Sequence, residues 1–125
     1  MCLSKVLKKT LVNWIVALSL ILFLPITRAE EPSAELMTAA AVLTVADWAQ
    51  TRYIARNPND YRELNPILGS HPSVGKVNIY FSTVLLLGAL GVSTGYINRE
   101  FLYFYVGIEG STVVRNYQVG VRFQF

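Results

Sequence analysis

Residues 79–97 form an apolar run without one charged side chain, and that run limits what this chain can become more than any other feature. As a helix it reaches about 28 Å at 1.5 Å per residue, close to the hydrocarbon thickness of a bilayer. A second run, 34–55, is rich in Ala, Leu and Val and of similar length, but it carries Asp47, Gln50 and Thr51. A third, 101–114, is aromatic and apolar and carries Glu109. An ionisable side chain deep in a bilayer is costly, so it faces a partner or a wet cavity. The polar groups inside these runs are therefore the candidate site.

Composition supports a membrane class over a soluble one. The chain is 53% hydrophobic and 15% charged over 125 residues, which allows one domain at most. Its net charge of +3 is concentrated at the start. Lys5, Lys8, Lys9 and Arg28 precede the first acidic residue, Glu30. Setting those four apart from the 11 basic residues leaves seven against 8 acidic ones, a balance of −1. No basic patch interleaved with aromatics follows, so nucleic acid is not expected as a partner. Cys2, the only cysteine, excludes an intrachain disulfide and a cysteine zinc site.

Residues 1–29 have the layout of a signal peptide or N-terminal anchor. Lys5, Lys8 and Lys9 make the positive region, 11–24 the apolar region, and Pro25 the break before Thr27-Arg28-Ala29. The remainder, 30–125, reads as a small helical membrane domain with helices at about 34–56, 79–97 and 101–116. Ser33 and Glu35 suit the first helix start, and Pro58 forbids its continuation. Residues 57–78 are a loop punctuated by Pro58, Pro66, Pro72, Gly69 and Gly75, with Ser70 or Ser73 available to cap the next helix. Gly91-x-x-x-Gly95 offers a surface for close helix approach. Segment 101–114 is short for a full span and is open between a short helix and a hairpin strand. The last residues alternate, with Tyr117, Val119, Val121, Phe123 and Phe125 apolar, which is a strand signal.

Charge sets an orientation. With the leader entering first, Glu30 starts outside the cytoplasm. The loop with Arg56, Arg62 and Lys76 then lies inside, as does a tail with Arg115 and Arg122, while the turn outside holds Arg99.

Within the candidate site, Thr44, Asp47 and Thr51 recur at spacings of three and four and form, with Gln50, one polar stripe. A carboxylate on an apolar helix needs a donor, a cation or a proton. Asp47 finds it in Arg52 or a loop group, or in a ligand shared with Gln50 and Thr51. Glu109 has small neighbours (Gly107, Gly110, Ser111), and Arg115 is too far along the helix to pair with it. It is a partner for Asp47, a member of a shared site with Asn116 and the loop, or a hydrogen-bonded lock between helices. Glu63 and Asn65 add polar groups from the loop. Asp47, Glu63, His71 and Glu109 are also a workable divalent-metal set, although their spacing matches no established motif. No G-x-S-x-G elbow or Gly-rich phosphate loop is present.

Asp47-x-x-Gln50-Thr51, then Glu63-x-Asn65-Pro66-Ile67-Leu68-Gly69, Pro72-Ser73 and Tyr80-Phe81 together resemble a group of small bacterial and phage-borne membrane proteins of uncharacterised function. The similarity covers about residues 44–81, with a weaker echo at Glu109 and Arg115-Asn116. It implies an Asp and Thr on one membrane helix, an E-x-N-P loop and further helices, and it implies no activity.

The sequence thus points to an all-α membrane protein: a signal or anchor segment, two to three transmembrane helices and a short β-like C-terminal tail. Its expected place is the bacterial inner membrane, as an accessory or interaction subunit rather than an independent enzyme. The expected site is Asp47, Gln50, Thr51, Glu63, Asn65, Glu109 and Asn116. Membrane lipid and a membrane-protein partner or second copy are the expected contacts, and no cofactor is expected. Two alternatives are a membrane-embedded hydrolase or metal-dependent enzyme using Asp47, Glu63 and Glu109, and an outer-membrane protein whose terminal strand ends at Phe125.

Overall fold

A computed structural model describes residues 30–125, so the signal or anchor segment and Cys2 lie outside the described residues. The described chain is all-helical, with α1 at Ala34–Arg56, α2 at Val74–Ser93 and α3 at Arg99–Gln118, and no strand among the described residues. One of these helices, α2, is long and apolar enough to cross a membrane.

Local chemistry sets the helix ends. The Ser33 hydroxyl accepts from the Leu36 N–H at 3.3 Å, with Glu35 in the first turn where its charge suits the dipole. Asn57 closes α1 by donating its side-chain amide to the Tyr53 carbonyl at 2.8 Å, and Pro58 follows. The bounds of α1 match the sequence reading, but those of α2 differ. Ser73 accepts from the Lys76 N–H at 3.2 Å, so α2 starts five residues earlier than the uncharged run, 74 against 79. It also stops earlier, at Ser93, because Gly95 turns the chain with φ +74°. Asn98 then caps α3 by accepting from the Phe101 N–H at 2.9 Å. Segment 101–114 is thereby helical, extended at both ends.

The Gly91-x-x-x-Gly95 surface is a correction. Gly95 stands outside the helix, and Gly91 makes room for the chain's own next turn: a Cβ there would lie 2.6 Å from Ile97 Cδ1. Gly95→Val is expected to destabilise the protein by about 1–2 kcal/mol, because a β-branched residue is strained at positive φ. Unfolding in detergent measures it against Gly88→Ala, which meets nothing within 4 Å. Equal losses in the two variants would refute the conformational origin.

The alternating tail is a second correction. It forms no strand, since a strand needs a paired neighbour and the body offers only helices. Tyr117 and Gln118 belong to α3, and residues 121–125 have no regular structure. The tail returns along α1 instead of trailing away. The Gln124 N–H donates to the Ala49 carbonyl at 3.1 Å, and Val121 is buried. Phe123 and Phe125 line one hollow with Val42 and Val45. The outer-membrane reading therefore has no strand in the described residues to build on.

Helix α1 is the centre of the body. It packs against α2 on one side and α3 on another, while α2 and α3 do not pack on each other. Trp48 meets Asn78 and Phe81 near the start of α2, whereas Ala40 packs near Val92 at its end, so α1 and α2 are antiparallel. Ala40 with Leu102, Thr44 with Tyr105 and Gln50 with Val113 make α1 and α3 parallel. Two apolar clusters hold the ends. Leu36, Ala40 and Leu102 form one, and Leu68, Val77 and Phe81 form the other.

Candidate functional site: a polar seam between α1 and α3

The polar stripe of α1 faces α3, and its residues find α3 one after another. Thr44 is buried, donates to the Ala40 carbonyl at 2.8 Å, and meets the Tyr105 hydroxyl at 2.7 Å. One turn on, Asp47 Oδ1 accepts from Asn116 Nδ2 at 3.5 Å, the long limit of a hydrogen bond. One further turn on, Gln50 is 0% exposed and donates from Nε2 to the Val113 carbonyl at 3.0 Å. Thr51 is buried beside it. From α3, Glu109 enters one turn before Val113, and its Oε2 is buried with no hydrogen-bond partner. Gln50 Oε1 is in the same condition.

Asp47 feels the charges of Glu109 on α3 and of Glu63 in the loop. No cation answers them. Among the described residues the ion pair is Arg99 with Glu30, at the far end, and none joins Asp47 to Arg52. The seam therefore has more acceptors than donors, an arrangement that costs free energy wherever water is excluded.

The loop motif has a different job. Glu63 Oε1 accepts from the Leu64 N–H at 3.0 Å and the Asn65 N–H at 2.8 Å. Asn65 Oδ1 accepts from the Ile67 N–H at 2.9 Å, an Asx turn. The Gly69 N–H donates to the Asn65 carbonyl at 2.9 Å, and Lys76 Nζ donates to the Leu68 carbonyl at 2.8 Å. These bonds present Leu68 to Val77, Phe81 and Trp48. Asn65 is thus spent on the loop and does not join the seam, which corrects its place in the expected site. Glu63 serves the loop with one oxygen while its charge bears on the seam. His71 is exposed in the loop. Among the described residues no three His, Cys, Asp or Glu side chains gather to hold one metal ion, so the set Asp47, Glu63, His71 and Glu109 is not assembled.

The sequence reading missed Tyr105. Its position one helical turn before Glu109, on the same side of α3, was the available signal. It also missed Trp48, whose indole N–H donates to Asn78 Oδ1 at 2.9 Å. A groove of about 660 Å³ opens between α2 and α3 over α1, lined mainly by apolar groups including Met37, Val84, Leu85 and Val92. The Thr44–Tyr105 pair lines it too. Compared with protein-family models, curated proteins and solved structures, the chain gives no match.

Proposed function

We propose that this chain is an integral protein of a bacterial inner membrane, with α1, α2 and α3 all crossing the bilayer and the 57–73 loop on the cytoplasmic side. Its role is that of an accessory or interaction subunit, and the α1–α3 seam is its working part. The observation that carries this reading is the outward face of α2, where Ile79, Leu86 and Leu87 are 72%, 61% and 60% exposed. Water does not tolerate a contiguous apolar surface of that kind, whereas lipid tails suit it. Phe104, Ile108 and Val114 continue the exposed apolar surface on α3.

Charge placement supports the same reading. Glu30, Glu31, Glu35 and Glu100 stand with Arg99 at one end of the helices, and Arg52, Arg56, Arg62, Lys76, Arg115 and Arg122 stand with Asp60 and Glu63 at the other. The basic end is the one expected in the cytoplasm. Between the ends, α1 and α3 each carry one ionisable side chain, Asp47 and Glu109, and both turn to the seam and away from lipid. Exposed Tyr96 at one end and Tyr117 at the other suit the two interfaces. The chemistry supports interaction over catalysis, because the seam has buried acceptors but no nucleophile paired with a base.

Cysteine labelling in native membranes tests the reading. In a Cys2→Ser background, Tyr96→Cys is expected to react with an impermeant maleimide from the periplasmic side. Arg62→Cys is expected to react only after the inner membrane is opened. Labelling of both from one side, or release of the protein by alkaline carbonate, would overturn the three-span arrangement. Affinity purification from gently solubilised membranes tests the role: a stoichiometric partner lost in Asp47→Asn is expected, and a lone monomer would refute it.

A further inference from the structure

We propose that the turn from Glu63 to Gly69 is a membrane-surface anchor, with Leu64 and Ile67 seated where headgroups meet acyl chains and Arg62 and Lys76 on the anionic headgroups of the cytoplasmic leaflet. This inference deepens the membrane reading above and rests on it.

The height of the turn carries the argument. The 57–73 loop folds back beside the helices instead of standing clear of their ends. Leu68 is 2% exposed and shares a cluster with Val77 and Phe81. Those two residues lie three and seven places past Val74, the first residue of α2, or about 5 and 10 Å along its axis. Lys76 Nζ holds the Leu68 carbonyl from the first turn of α2 at 2.8 Å. The turn therefore stands level with the opening turns of α2, where Ile79 begins the outward apolar face. Leu64 and Ile67 belong to this same turn and are 71% and 67% exposed. Two large aliphatic side chains at the height of a lipid-facing isoleucine extend its apolar surface into the loop.

The backbone of the turn suits a place where water thins. The N–H groups of Glu63, Leu64, Asn65, Ile67 and Gly69 are all bonded within the loop, and Pro66 has none to offer. An interfacial segment needs its backbone satisfied internally, and a turn already held in shape loses little freedom on contact. Charge supplies the second contact. Arg62 precedes the turn and Lys76 follows it, both exposed, and among the described residues neither is ion-paired. Lys76 keeps two further N–H donors beside the one given to Leu68. Asp60 and Glu63 are the acids of this segment, against Arg56, Arg62 and Lys76. Aliphatic side chains beside cations on long stems are what anionic bilayer surfaces hold.

Fluorescence in nanodiscs tests the contact. The full chain, in a Cys2→Ser background, carries an environment-sensitive fluorophore at Ile67→Cys or Leu64→Cys. Asn59→Cys, exposed in the same loop, and Leu86→Cys, on the outward face of α2, are the references. The Ile67 and Leu64 probes are expected to emit to the blue of the Asn59 probe. Lipids spin-labelled near the headgroup are expected to quench them at least twofold more than the Asn59 probe, while deep labels quench the Leu86 probe best. Adding phosphatidylglycerol to phosphatidylcholine discs is expected to raise quenching at Ile67, and Arg62→Gln to cut that rise by half or more. Without any label, trypsin is expected to cut after Arg62 several-fold faster when Leu64→Ser and Ile67→Ser are combined, with circular dichroism confirming that the variant is folded. An Ile67 probe that emits like the Asn59 probe overturns the proposal, and so does an unchanged trypsin rate. A blue-shifted probe that no lipid label quenches also overturns it, because a second copy or another protein then covers the turn. Quenching indifferent to phosphatidylglycerol overturns the headgroup contact. If the cysteine labels report three spans and the Ile67 probe stays in water, this inference alone fails; if they report one side, the membrane reading fails first.

Discussion

Gln50→Glu is expected to destabilise the protein by roughly 3–5 kcal/mol, the scale of an uncompensated buried charge. The substitution keeps the shape and reverses the chemistry. It removes the amide donor that holds the Val113 carbonyl at 3.0 Å and sets a carboxylate oxygen against that carbonyl instead. It also adds a charge at a side chain that is 0% exposed, beside Asp47 and Glu109, which have no ion-paired cation. Reversible unfolding in mixed micelles measures the loss. A change below about 1 kcal/mol, the worth of an ordinary hydrogen bond, would mean that water reaches the Gln50 side chain.

Phe81→Ala is expected to cost about 3–5 kcal/mol and to loosen the 57–73 loop. Phe81 is 2% exposed and stacks on Trp48 with ring centroids 6.1 Å apart and planes 7° apart. Tyr80 meets it edge-on at 5.1 Å, and Leu68 and Val77 close the cluster. Removing the ring leaves a cavity where loop, α1 and α2 meet, so Leu68 loses its seat and the turn from Glu63 to Gly69 loses its anchor. Limited proteolysis is expected to cut the loop faster, alongside the drop in stability. Leu86→Ala, on the exposed face of α2, is the control and is expected to change neither. Stability lost without faster loop cleavage would show that the motif holds its shape through its own hydrogen bonds.

Several features were legible in the residues alone because the forces behind them are local. The bounds of α1 follow from Ser33 and Pro58, and the polar stripe from spacings of three and four. The apolar run does not mark the start of α2, because Ser73 caps the helix and Val74 to Asn78 complete its first turns. Its end was misread because Gly95 was assigned to a packing surface when it is the turn. The tail was misread as a strand because alternation marks an extended segment whether or not a neighbour exists to pair with it. Asn65 was drawn into the site because its own Asx turn is not visible in a string of letters.

What the sequence by itself determined is the class and the inventory. The uncharged run 79–97 gives α2, which ends at Ser93, the apolar length to cross a membrane, and the spacing of Thr44, Asp47 and Thr51 puts them on one side of α1. What only the tertiary structure decided is which groups answer one another. Thr44 with Tyr105, Gln50 with Val113 and Asp47 with Asn116 join residues 61 to 69 positions apart. Periodicity places each residue on a face, but it carries no information on the rotation and sliding of one helix against another. Those two degrees of freedom are set by packing around Ala40 and Leu102, and they leave Gln50 Oε1 and Glu109 Oε2 buried without donors.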